Sequence, residues 1–107
     1  MSVMGQIRFQ RDAQGRVTVV APPQCAVLAD FLETDVGEDH TYILEKLDQA
    51  EGGDEIGISL SACYFEADRR GIRIEHLHRE GEGTHCTLTF GELRSLLTAW
   101  AAFLRPS

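Results

Sequence analysis

In QIRFQRDAQGRVTVVA, Gln6 to Ala21, apolar residues alternate with polar ones on both sides of a turn signal. A strand that buries one face tolerates no slip of a single residue, so this pattern constrains the fold more than any other in the chain. Ile7 and Phe9 share a face with Val17 and Val19 only if the loop has an odd number of residues. The three-residue loop Ala13-Gln14-Gly15 meets that condition, pairs Phe9 with Val19, and puts Gly15 where a left-handed residue is wanted. Pro22 and Pro23 forbid further pairing and suit the first turn of a helix. Val27, Leu28, Phe31 and Leu32 form the apolar stripe of that helix.

Val36-Gly37 breaks the first helix, and Asp39 can cap a second. Its stripe is Ile43, Leu44 and Leu47, and Gly52-Gly53 ends it. After Gly53 the period returns to two. Ile56, Ile58 and Leu60 share one strand face, Tyr64 to Ala67 is the next strand, and Arg69-Arg70-Gly71 is a turn. GIRIEHLH and HCTL then pair across Gly81-Glu82-Gly83, an odd loop that sets His78 opposite Cys86. Thr89-Phe90-Gly91-Glu92 is a capping box, with Leu88 and Leu93 as its hydrophobic staple. Leu93, Leu96, Leu97, Trp100, Phe103 and Leu104 follow at helical spacing, which predicts Trp100 buried against the sheet, with Pro106 beyond the helix end. The predicted order is ββααββββα. This is one α+β domain over residues 1–107, an antiparallel sheet of about six strands carrying three helices.

Composition bounds the function. The chain has 43% hydrophobic and 25% charged residues, ordinary values for a globular domain. It has no apolar run of signal-peptide or membrane-span length. Cys25, Cys63 and Cys86 are odd in number and widely spaced, which suggests reduced thiols in a cytoplasmic protein. A net charge of −7 argues against nucleic acid as a partner and for a basic protein. The charge is also segregated. From Asp30 to Glu55 there are ten acids and one base, Lys46; the remaining 81 residues hold seven acids and nine bases.

No catalytic signature is strong. His76, His78, His85 and Cys86 are the one cluster with metal-ligand chemistry, but His85 points away from Cys86 and a closed zinc site needs four ligands. A nucleophilic Cys86–His78 pair lacks a third group to orient the histidine. The expectation is therefore ordinary packing, with no metal and no cofactor. A small hydrolase or metal protein using His76, His78 and Cys86 stays as the alternative reading. GISLS, Gly57 to Ser61, has a serine where a nucleophile elbow needs its second glycine, and it lies in a strand pattern. GEGTHC lacks the spacing of a dinucleotide loop and carries an acid where phosphate would sit.

Two resemblances follow. FQRDAQGRV (Phe9 to Val17), Phe31-Leu32-Glu33-Thr34-Asp35 and LTFGELRSLLTAWAAFL (Leu88 to Leu104) resemble the YacL-like family of small uncharacterised bacterial proteins. Pro22-Pro23-Gln24 stands where that family has a Gly-His-Glu-like step. The resemblance implies a cytosolic protein-binding module and carries no assigned activity. By kind rather than by motif, this small, acidic chain is similar to the immunity proteins of contact-dependent and related polymorphic toxin systems. That likeness implies a non-enzymatic inhibitor covering a cognate basic toxin domain, an RNase of a contact-dependent growth inhibition system. Asp30, Glu33, Asp35, Glu38, Asp39, Glu45, Asp48 and Glu51 are then the partner-binding residues, their carboxylates standing in for phosphates. The competing reading of those acids is a face solvated for solubility.

Overall fold

Six strands form two sheets, not one. The computed structural model describes residues 6–105. β1 (Arg8–Arg11) and β2 (Val17–Val20) make a two-stranded antiparallel hairpin. β3 (Ile56–Ser59), β4 (Cys63–Asp68), β5 (Gly71–His76) and β6 (His85–Leu88) make a four-stranded antiparallel meander in that order. The α+β class, with antiparallel strands and three α-helices among the described residues, holds, but the single six-stranded sheet and the exact element order do not. The hairpin packs on helical segments: the Phe9 ring meets Trp100 edge-on at 5.5 Å and Phe103 at 5.6 Å.

The first hairpin has the register required by its alternation. Phe9 lies opposite Val19 and Arg11 opposite Val17. Gly15 sits at φ 82°, and the Asp12 carboxylate accepts from the Gln14 and Arg16 amides, so the turn is held by its own residues. In the meander, period two separates the faces. Cys63, Phe65, Ala67, Ile72, Ile74, Cys86 and Leu88 are buried on one side, while Glu66, Arg73, Glu75, His85 and Thr87 meet water on the other.

The β5–β6 hairpin of the meander is offset from expectation. Ile74, not His78, lies opposite Cys86, and Ile72 opposite Leu88. The faces are those of the alternation, because the shift is by an even number of residues. Its cause is tertiary. The β5–β6 connection docks on the segment after β2, where the Val27 amide donates to the Gly83 carbonyl at 2.8 Å. It also closes internally, with the His76 amide on Thr84 O and the Thr84 hydroxyl on Gly81 O.

The helical segment after β2 is less regular than its stripe predicts. A 3₁₀ turn at Pro23–Cys25 leads into α1 (Val27–Asp30), which widens to a π-helical stretch at Phe31–Val36. Bonds from i to i−5 bring residues five apart together, and Phe31, Leu32 and Val36 are all buried. α2 (Thr41–Glu51) buries Ile43, Leu47 and Ala50, with Leu44 half-buried. α3 (Phe90–Leu104) begins with the capping box: Thr89 Oγ1 accepts from the Glu92 amide, and the Glu92 carboxylate accepts from the Thr89 amide. Pro106 lies outside the described residues. Trp100 is buried, and its Nε1–H donates to the Gly37 carbonyl at 2.8 Å. Its ring partner is Phe9 of the two-stranded sheet. No helix among the described residues is long and apolar enough to cross a membrane.

Candidate partner-binding surface

The acids of α1 and the π-helical stretch are engaged within the fold. Asp30 Oδ2 lies 3.4 Å from His76 Nε2 and 3.3 Å from Arg79 Nη1. Glu33 Oε2 accepts from the Val19 amide at 3.2 Å, so it anchors β2. Asp35 Oδ1 accepts from the Ala62 amide at 2.8 Å, and its Oδ2 is buried without a hydrogen-bond partner. These three carboxylates join the second segment of the chain to its strands. They also hold the broad turn in place.

The acids at and within α2 divide into two groups. Asp48 and Glu51 face α3. Arg94 Nη2 meets Asp48 Oδ1 at 2.8 Å, and its Nε meets Glu51 Oε1 at 3.0 Å. Asp48 first and then Glu51 push the Arg94 guanidinium further above its already high range. Glu38, Asp39 and Glu45 are exposed, with no hydrogen bond or ion pair to Arg94. The N-cap of α2 is His40, not the expected Asp39; one residue earlier, the Asp39 carboxylate accepts from the Thr41 amide and hydroxyl, and the hydroxyl bond first holds its carboxyl below the usual range. Glu38 and Glu45 make no hydrogen bond or ion pair among the described residues.

Tyr42, in the first turn of α2, is 44% exposed, one of few large apolar side chains among the described residues that meet water. Within α2, helical spacing puts Glu45 and Lys46 on the same side as Tyr42, with the Lys46 ammonium 5.3 Å from the Tyr42 ring, whereas Glu38 precedes the helix. The sequence reading named the acids but missed Tyr42. The signal was present: an aromatic residue off the Ile43/Leu47/Ala50 stripe has no core to enter.

The three thiols are buried, His76 is bonded within the fold, and His78 and His85 are exposed. Cys63 is fully buried, and burial, followed by the neighbouring Asp35 carboxylate, pushes its thiol up to about 12. A thiol so held is a poor nucleophile near neutral pH. His76 lies opposite Cys63 across the β4–β5 ladder. Its Nδ1 accepts from the His78 amide at 3.0 Å, leaving Nε2 to carry hydrogen toward Asp30. Cys86 faces Cys25, so the expected His78–Cys86 pairing does not occur. Among the described residues no three His, Cys, Asp or Glu side chains converge as a ligand set. A groove of about 620 Å³ between the first hairpin and α3 carries both signs, with Arg11, Arg16 and Arg105 against Glu33 and Glu38.

No family model, curated protein or solved structure matches this chain.

Proposed function

We propose that this chain is a non-enzymatic, cytoplasmic protein-binding domain of the immunity type. It binds and neutralises a cognate basic toxin domain, an RNase, through the exposed face of α2. The observation that carries this reading is Tyr42, exposed on α2 one helical turn before the exposed Glu45 and shortly after the exposed Glu38 and Asp39 in sequence. Tyrosines ringed by polar groups are favoured anchors at protein interfaces, because they offer large contact area at little entropic cost. The carboxylates of Glu38, Asp39 and Glu45 attract Arg and Lys that otherwise hold phosphate. The interface is thus narrower than the whole acidic stretch, because Asp30, Glu33, Asp35, Asp48 and Glu51 already have partners inside the fold.

The test is association kinetics with the basic C-terminal domain encoded by the neighbouring gene, at low and high salt. Glu38→Gln with Glu45→Gln should slow association and flatten its salt dependence, whereas Tyr42→Ala should chiefly speed dissociation. Asp48→Asn with Glu51→Gln is the control for dissociation, which it should leave unchanged because those carboxylates serve Arg94. Rates unmoved by the first two variants would return these acids to a solubility role. A gene with no such neighbour would point instead to a binding module of the YacL-like kind.

A further inference from the structure

We infer that Cys25 and Cys86 form a site of reversible disulfide formation, with Cys63 left as the free thiol. Their sulfurs lie 2.7 Å apart, within about 0.7 Å of the bonded distance of ~2.05 Å. They belong to separate elements, the 3₁₀ turn after β2 and strand β6, 61 positions apart in sequence.

The fold holds that proximity from both sides. The Cys25 amide donates to Pro22 O, fixing the turn, and Val27 donates to Gly83 O two residues further on. Gly83 has φ +81°, and the Pro23 carbonyl occupies the space a β-carbon there would need. Only glycine lets the β5–β6 connection approach this closely. On the other side, Cys86 is fixed by its pairing with Ile74. Cys63 faces Asp35 and takes no part.

The oxidant is a small-molecule disulfide of the glutathione class. One protein thiolate, its proton given to water, attacks a sulfur of the reagent and releases the first small thiolate, which takes up a proton. The second protein thiolate then attacks the protein-bound sulfur of the mixed disulfide and releases the second small thiolate. Two protein thiols are oxidised, and the reagent leaves reduced as two thiols. Both sulfurs are buried, so reaction requires the turn to open. The three-residue Pro23–Cys25 turn has no side-chain cap, whereas Cys86 lies in a paired strand, so Cys25 is exposed first and makes the first attack. The closed loop spans the π-helical stretch, α2 and β3 to β5, and restricts the unfolded chain over more than half its length.

Reduced protein is incubated in graded mixtures of oxidised and reduced glutathione, both folded and during refolding from urea, so that burial cannot block the chemistry. The expected product is lighter by about two mass units, with a Cys25–Cys86 linked peptide and Cys63 alone open to alkylation after denaturation. Cys63→Ser should give the same product, and Cys25→Ser should not. The oxidised form should melt several degrees higher, and dithiothreitol should restore the original value. Refolded Cys63→Ser protein that retains two free thiols, or carries glutathione on both, overturns the inference.

Discussion

Trp100 is the single tryptophan of the chain, and its replacement tests how the first hairpin is attached. Three interactions meet at this residue: burial of the indole, the edge-on contact with Phe9 at 5.5 Å, and the hydrogen bond to Gly37 O at 2.8 Å. Trp100→Ala removes all three and should cost about 3–5 kcal/mol. A domain of this size has roughly 5–15 kcal/mol in total, so the variant keeps a reduced margin or unfolds. Trp100→Phe separates the contributions. It keeps an aromatic ring for Phe9 but leaves the Gly37 carbonyl without its donor, which should cost about 1–2 kcal/mol including the lost ring volume. The assay is urea unfolding followed by far-ultraviolet circular dichroism. The midpoint should fall in the order wild type, Trp100→Phe, Trp100→Ala, with an unchanged slope. A melting shift of about 1 °C or less for Trp100→Ala would refute the reasoning, since 1 kcal/mol corresponds to roughly 4–8 °C in a small domain.

Asp35→Ala should lower stability by about 1–3 kcal/mol, because the Ala62 amide loses its acceptor, and calorimetry will detect it. Arg94→Ala should cost at most about 1 kcal/mol, and the loss should shrink at high salt, as expected for an exposed network; equal losses at both salts would contradict it. The pH dependence follows from Cys63, whose thiol rises in the fold from its ordinary 9.0 to about 12. Its contribution is intact below pH 9 and is lost as the pH rises toward 12, so wild type should lose stability over that window more steeply than Cys63→Ala. In the folded protein at pH 8, Cys63 should resist a thiol reagent that labels it after unfolding.

Where the sequence was legible, local physics decided the outcome. The odd loop at Ala13-Gln14-Gly15 set the Phe9–Val19 register, and the Thr89/Glu92 box set the start of α3. Parity placed the correct residues on the buried face of β5 and β6. It could not set their register, because the contact between Val27 and Gly83 joins segments 56 residues apart. Division into two sheets was hidden for a similar reason. Alternation shows that a strand has a buried face, but not what covers that face. Phe9 chose α3, and nothing in the period of β1 names that partner. The π-helical widening at Phe31–Val36 was also unreadable from a stripe that fits an ordinary helix through Leu32.

The acidic stretch shows how segregation along a chain differs from segregation in space. Counted in sequence, Lys46 is the one base among ten acids. Folding returns two more: Arg79 to Asp30, and Arg94 to Asp48 and Glu51. Backbone amides take Glu33 and Asp35 without cancelling their charge. The long-range field therefore remains negative, while the carboxylates of this stretch without a partner among the described residues contract to Glu38, Glu45, Asp54 and Glu55. These are separate roles with separate kinetic signatures. A removed charge anywhere on the negative side weakens steering, and that effect fades with salt over about 8 Å at physiological ionic strength. A removed contact at Tyr42 should shorten the life of the proposed complex at any salt, whereas Glu38 and Glu45 should act chiefly on association. Neutralising Glu45, Asp48 and Glu51 together would mix a steering charge and the Arg94 network in one number. Single replacements, compared at two salt concentrations, keep the two apart.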